Sequence, residues 1–243
     1  AGPAAALLLL LAAAAAGEDA PAPPSWQSAE TSLGPLKFRE FGESDGPLVL
    51  CFHGMTDSPF IRDEWNAVAY RLAEEGFHVV VPDFHSAPEA LQPGRATGDR
   101  VREVVAELAQ HLGAVPTRYH AAVAPKLVVL GKSWGGRMAA EAAALPQVIG
   151  VGLVAPAISE SQAATLFPLI HGEKALLMVR DDPVVPFDRA AGLRRLLGGD
   201  SVHWSEAPSG GHRVVEAFVA PLASFLVQLR GKYLHDGEAE PEL

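Results

Sequence analysis

The sequence is poor in cysteine and in positive charge. Its 243 residues include a single cysteine, Cys51, so no disulfide can form within the chain. The apolar run around Cys51 predicts a small buried hydrophobe. Only 19 lysines and arginines stand against 29 aspartates and glutamates, and the formal net charge of −10 predicts no nucleic-acid partner, because phosphate backbones would be repelled. Histidines and cysteines form no cluster at metal-ligand spacing, so we expect no metal and no other cofactor.

Long apolar runs are absent after the N-terminal segment. Residues 1–17 carry no charge and contain the run ALLLLLAAAAAG, which is typical of a secretory signal peptide that begins upstream of this sequence. The run is shorter than the roughly 20 residues that span a bilayer. With a longer upstream part it would be an uncleaved anchor, and it also fits the apolar half of a two-part organelle-targeting sequence. We therefore expect a secretory or organelle-lumen location, with the cytoplasm as the alternative, and a membrane partner only if the segment is not cleaved.

Composition divides the chain into further parts. Residues 18–28 are rich in proline and alanine and are predicted to form a linker, and residues 234–243 form an acidic, disordered tail. Residues 29–233 have the length of one α/β domain that buries a large core. We therefore expect a single folded domain.

Strand and helix patterns alternate throughout this domain. Short continuous apolar runs favour parallel strands that are covered on both faces, and an alternating run with WQSAETS before it fits a hairpin. The strands are predicted at 36–41, 47–52, 78–84, 126–131, 148–154, 174–179 and 201–207. Helical patterns fill the gaps, the last from His212 with a kink at Pro221. This order predicts a mostly parallel sheet of about eight strands, with helices on both faces and no large cap domain.

The strongest local motif is GKSWGG at 131–136, which fits G-x-S-x-G between a predicted strand and a predicted helix. Such a turn lifts the serine hydroxyl above the sheet at the N-terminus of the next helix. Side chains at Gly131 and Gly135 would clash with neighbouring elements in so sharp a turn. The motif predicts Ser133 as a nucleophile, and the alternative interpretation is a glycine-rich turn with a capping serine.

Acyl transfer also needs two N–H donors aimed at the developing oxyanion. One is expected from Trp134, which follows the nucleophile. The other should come from the loop after the strand at 47–52, where HGMTDS begins, and we assign it to Met55. His53 precedes this loop and is interpreted as an orienting residue rather than a catalyst.

A serine nucleophile requires a histidine base and a carboxylate that holds the histidine. Of the histidines after Ser133, only His212 follows small residues (SGG) in a loop before the last helix, whereas three others stand elsewhere: His171, His203 and His235. The acid should end the strand at 174–179, where Asp181 and Asp182 are adjacent. Adjacent side chains at a strand end point in different directions, so we expect only one of them to reach the histidine. The motif D-x-x-V-P favours Asp182.

These motifs, HGMTDS, GKSWGG, RDDPVVP and SGGHRV, stand in the order found in the α/β-hydrolase superfamily, which the chain resembles over about residues 33–231. Small members with little or no lid, of the dienelactone-hydrolase-like and carboxylesterase type, look most similar. The resemblance implies Ser133, Asp182 and His212 as a catalytic triad. It also implies Met55 and Trp134 as oxyanion-hole donors. Val179 departs from the glycine that the family often places three residues before the acid.

The favoured function is that of a serine hydrolase that cleaves carboxylic ester bonds, or thioester or amide bonds, in a small-molecule acyl substrate. One alternative is a peptidase of the prolyl-oligopeptidase type, although the large extra domain of those enzymes is missing. The other is a non-catalytic α/β-hydrolase scaffold that binds a ligand. The segment 155–173 has room for one short helix, which predicts an open site. We expect three residues of this segment either to line one side of the site or to pack onto the core: Leu166, Phe167 and Ile170.

Overall fold

A computed structural model of the chain describes residues 22–58, 61, 63–112 and 126–233. These residues include an eight-stranded sheet. The strands are β1 (Gln27–Thr31), β2 (Gly34–Phe41), β3 (Leu48–Phe52), β4 (His78–Pro82), β5 (Leu127–Lys132), β6 (Val148–Val154), β7 (Glu173–Val179) and β8 (His203–Ala207). The predicted segment 1–17, part of the linker and the tail 234–243 lie outside the described residues.

The sheet is mostly parallel, in the order β1-β2-β4-β3-β5-β6-β7-β8. The hairpin of β1 and β2 runs antiparallel to β4, and every other pairing is parallel. Strands β3, β4 and β5 are buried along their whole length, as continuous apolar runs predict for strands covered on both faces. The predicted eight-stranded architecture and its edge hairpin are confirmed. Strand β1 starts at Gln27, so it includes the last two residues of the predicted linker.

Helices cover both faces of the sheet. The longer ones are α1 (Asn66–Glu74), α2 (Gly98–His111), α3 (Trp134–Ala142), α4 (Glu160–Leu166), α5 (Ala190–Leu197) and α6 (Val219–Tyr233). Buried side chains of α1 and α6 form one apolar cluster with the sheet, and those of α2, α3, α4 and α5 form a second cluster on the opposite face. The cysteine, Cys51, is fully buried in the first of these. No helix of the described residues is both long enough and apolar enough to cross a membrane.

The last helix differs from its prediction. It begins at Val219, after a 3₁₀ turn over Glu216–Phe218, and not at His212. Pro221 therefore lies in the first turn of α6, where backbone N–H groups have no partner within the helix and proline causes no break. The delayed start leaves His212 in a loop.

The segment between β6 and β7 contains the seven-residue helix α4 and the 3₁₀ turn Phe167–Leu169. A capping box between Ser159 and Gln162 starts α4. The core contains three apolar residues of this segment: Leu166, Phe167 and Ile170. They therefore pack the segment onto the core and do not line the site. The segment is too short to form a large cap.

Candidate active site

Three polar side chains meet where loops leave the carboxyl edge of the sheet. His212 Nε2 lies 2.8 Å from Ser133 Oγ, and His212 Nδ1 lies 2.7 Å from Asp182 Oδ2. Ser133 directly follows β5, Asp182 follows β7, and His212 follows β8. The structure thus brings the three residues predicted as a triad into one continuous hydrogen-bonded chain.

Ser133 occupies a strained backbone conformation, with φ 57° and ψ −119°. Positive φ is unfavourable for a residue with a Cβ and persists only when the surroundings impose it. Here the Ser133 N–H donates to Val154 O (3.0 Å), and Ser133 O accepts from Ala157 N–H (2.8 Å). Both contacts join the turn to the end of β6, which holds the serine in place.

Two glycines make this turn possible. A Cβ at Gly131 would lie 2.1 Å from Gly135 O, and a Cβ at Gly135 would lie 2.2 Å from Phe52 O. Real Cβ atoms do not approach oxygen atoms this closely. The strand–turn–helix context predicted for the motif is present, since β5 ends at Lys132 and α3 begins at Trp134.

The two adjacent aspartates point to different partners. Asp182 Oδ1 accepts hydrogen bonds from the Val184 and Val185 N–H groups (2.7 and 2.9 Å), which leaves Oδ2 for His212. Asp181 Oδ1 instead accepts from the Gly211 N–H (2.8 Å). Asp181 is thus an exposed turn residue that also supports the loop that carries the histidine.

His212 lies on the SGG loop, where Gly210 and Gly211 adopt positive φ values of 139° and 65°. Its side chain is 16 % exposed. Burial lowers the pKa of His212; the hydrogen bond that His212 donates to Asp182 opposes this effect, and the positive charge of Lys132 adds to it. A lowered pKa keeps the imidazole neutral, which is the form that can accept a proton.

The other histidines after Ser133 do not enter this chain of contacts. His203 lies in β8 against the ring of Phe225, and His171 is exposed before β7. The fourth, His235, lies outside the described residues.

The two residues assigned as oxyanion donors lie at the start of α3 and on the loop after β3. Trp134 is the first residue of α3, where N–H groups have no acceptor within the helix. Met55 follows Gly54 after β3 and is 56 % exposed. The buried His53 accepts a hydrogen bond from Phe84 N–H at Nε2 (3.0 Å), and its Nδ1 lies 2.7 Å from Gly54 O, so it links the ends of β3 and β4.

A buried ion pair, which the motif analysis did not single out, lies next to these residues. Lys132 Nζ is 3.3 Å from Glu64 Oε2, and the two side chains are 2 % and 5 % exposed. The available signal was a lysine inside the G-x-S-x-G motif, at the end of a fully buried strand. Its partner lies 68 residues away and has no motif of its own.

These features define the class of protein. A mostly parallel eight-stranded sheet, with a serine at positive φ between a strand and a helix, is the α/β-hydrolase fold. More specifically, the chain belongs to the hydrolase family described as serine aminopeptidase, S33, whose sequence profile matches residues 44–185. No curated protein sequence matches the chain significantly.

Several solved structures share the fold at low sequence identity. A bacterial membrane phospholipase A gives a TM-score of 0.68 at 18 % identity over 92 % of both chains. A predicted CIB-like hydrolase from Thermoplasma acidophilum gives 0.67 at 20 % identity, over 84 % of this chain and 99 % of that one. A serine hydrolase without a lid from Xanthomonas campestris gives 0.61 at 17 % identity, over 91 % and 99 %. They confirm the single α/β-hydrolase domain without a large cap, and the narrower resemblance to dienelactone-hydrolase-like members stays a prediction.

Proposed function

We propose that this hydrolase cleaves carboxylic ester bonds through an acyl-enzyme intermediate on Ser133. The observation that carries the proposal is the unbroken hydrogen-bonded chain from Asp182 through His212 to the Ser133 hydroxyl. A serine hydroxyl becomes an effective nucleophile when a histidine takes its proton, and the carboxylate fixes the tautomer and stabilises the imidazolium.

The chemistry follows from these contacts. His212 Nε2 accepts the hydroxyl proton while Ser133 Oγ forms a bond to the acyl carbon. Main-chain N–H groups of Met55 and Trp134 stabilise the charge that develops on the carbonyl oxygen. The protonated His212 then donates its proton to the departing alcohol. A water molecule, deprotonated by the same histidine, then attacks the acyl carbon. The bond between that carbon and Ser133 Oγ breaks, His212 returns the proton to Oγ, and the acid leaves.

The chemistry of the site's rim favours an apolar acyl group. Two exposed apolar residues, Met55 and Val184, lie on the loops that follow β3 and β7 at the carboxyl edge of the sheet. Val184 also donates its N–H to the carboxylate of Asp182. An apolar rim beside a nucleophile lowers the free energy of binding for hydrocarbon chains, at roughly 25 cal/mol per Å² of apolar area removed from water.

Cleavage of amide bonds is the second candidate, and the family's description as serine aminopeptidase favours it. The same three side chains would perform it, because peptide and ester acyl transfer share the tetrahedral intermediate. An aminopeptidase additionally needs a carboxylate to bind the substrate ammonium group. Asp181 and Asp182, next to the histidine, already accept backbone or histidine hydrogen bonds, so esters are the preferred substrates.

A substrate panel separates these functions. p-Nitrophenyl esters of graded acyl length are compared with aminoacyl-p-nitroanilides, and a fluorophosphonate probe reports whether Ser133 is reactive. Ester turnover with labelling that Ser133→Ala abolishes supports the proposal. Turnover of the anilides alone supports the peptidase. If the folded protein is neither labelled nor active on any of these substrates, a non-catalytic scaffold is indicated.

A further inference from the structure

An ion pair lies buried beside the nucleophile, and the acyl-transfer steps do not use it. Lys132, the residue before Ser133, is 1 % exposed, although lysine is rarely buried in proteins. Its ammonium group lies 3.3 Å from Glu64 Oε2. Glu64 is itself buried and comes just before α1, on the chain that follows the Met55 loop.

The same carboxylate reaches the loop that carries Met55. Glu64 Oε1 accepts a hydrogen bond from the Gly54 N–H (2.9 Å). A Cβ at Gly54 would lie 3.1 Å from Lys132 Nζ, so the ammonium group packs directly against this loop. One carboxylate therefore contacts both the residue before Met55 and the residue before Ser133.

Stability alone does not account for such a pair. Removing two charges from water costs more free energy than a single contact returns, and apolar replacements of similar volume are often as stable. Burial raises the pKa of Glu64, while Lys132 and the Gly54 hydrogen bond oppose that shift. A pair that costs free energy and joins two catalytic loops has a role in holding those loops.

We propose that Glu64 and Lys132 are positioning residues that fix the Met55 loop, residues 53–58, against the turn at Ser133. This inference rests on the proposed function and names the groups that set the geometry of its oxyanion hole. The Met55 and Trp134 N–H groups stabilise an oxyanion only when both point at the same position. The contacts among Gly54, Glu64 and Lys132 hold the Met55 loop and the Ser133 turn in that relative position.

The charges explain why both members are needed. Without Lys132, the Glu64 carboxylate would be left as an uncompensated buried charge and would lose its contact with the residue before Ser133. Without Glu64, the Gly54 N–H would lose its acceptor, and a buried ammonium group would be left uncompensated. Either loss disturbs the transition state more than the bound substrate.

The test uses Glu64→Met, Lys132→Met and the double variant, with kcat, KM and thermal midpoint measured on the ester that the wild type hydrolyses best. Each single variant should lose on the order of 10- to 100-fold in kcat, with KM changed far less, because a displaced donor affects the transition state. The double variant should regain the wild-type thermal midpoint, since an apolar pair replaces the ion pair. Its kcat should nevertheless stay low.

Two matched controls sharpen the result. Arg102→Met/Glu141→Met removes another partly buried ion pair (3.0 Å), which joins α2 to α3, and should leave kcat unchanged. Glu64→Gln retains an oxygen that accepts from the Gly54 N–H, so it should lose less kcat than Glu64→Met. This variant also serves if the methionine variants fail to fold.

The outcomes are distinct. A double variant that recovers kcat together with its thermal midpoint would reduce the pair to a structural role and overturn the proposal, as would equal kcat losses in Glu64→Gln and Glu64→Met. Wild-type protein that neither reacts with a fluorophosphonate nor hydrolyses esters would instead reject the proposed function itself. Wild-type labelling at Ser133 with unchanged kcat in all variants would reject only the positioning role.

Discussion

His212 Nε2 lies 2.8 Å from Ser133 Oγ, although the two residues are 79 positions apart in the chain. The contact forms because parallel strands place their carboxyl ends on one edge of the sheet. Loops after β5 and β8 then bring the hydroxyl and the imidazole to the same point. The geometry suits transfer of the hydroxyl proton, which occurs over hydrogen-bond distances of roughly 2.6–3.2 Å.

Ser133→Ala should reduce ester hydrolysis by several orders of magnitude, to a residual rate that depends on binding and the oxyanion donors. Alanine keeps the Cβ and backbone of the turn, so the thermal midpoint should change little. The measurement is kcat/KM alongside a melting curve. Retention of near-normal turnover would rule out Ser133 as the nucleophile.

Asp182→Asn should lower kcat on the order of 10⁴-fold, because an amide in this position favours the wrong histidine tautomer. Asp181→Asn is the matched control, since its amide oxygen can still accept from the Gly211 N–H. That variant should retain most of its activity. If instead Asp181→Asn were the inactive one, the acid would be assigned one residue too late.

The pH profile of kcat/KM should rise through one ionisation and then level off. Burial lowers the pKa of His212, so the imidazole stays neutral, and active as a base, to a pH below the usual histidine range near 6.5. Activity is therefore lost only as the pH falls through this lowered pKa. Lys132→Met removes a charge that contributes to the lowering and should move the acidic limb to higher pH. A rate that does not vary between about pH 4 and 8 would argue against a histidine base.

Gly131→Ala should abolish activity and destabilise the fold by at least about 1–3 kcal/mol, because its Cβ would overlap Gly135 O at 2.1 Å. Gly231→Ala in α6 is the control, since no atom lies within 4 Å of its Cβ position. Alanine also favours helix formation over glycine, so the control should be neutral or more stable. Thermal melting of both variants makes the comparison. An active, stable Gly131→Ala protein would contradict the close packing of the turn.

Turnover should rise smoothly as a long-chain ester passes into micelles, without a jump at the critical concentration. The helix between β6 and β7 has seven residues, and Leu166, Phe167 and Ile170 are buried in the core, so this segment provides no lid within the described part of the chain. Esterase assays above and below the micellar threshold provide the measurement. A sharp increase would mean that a segment covers Ser133 until it meets an interface.

Much of the fold could be predicted because its signals are local. Continuous apolar runs indicated buried parallel strands, and the glycines of GKSWGG indicated a sharp turn between a strand and a helix. The start of the last helix was misplaced because the helical pattern continues upstream of Val219 through residues that the structure keeps in a loop. The local pattern does not show that His212 contacts Ser133 and Asp182, which places this residue in a loop.

The sequence by itself determined the order of strands and helices, the position of the nucleophile turn and the candidate histidine. Those features depend on side-chain periodicity and on small residues close together in the chain. Only the tertiary structure decided that Asp182 contacts His212 while Asp181 supports the Gly211 backbone, and that Glu64 joins Gly54 to Lys132. The direction of a side chain at a strand end is set by backbone contacts with distant segments, and spacing along the chain does not encode those contacts.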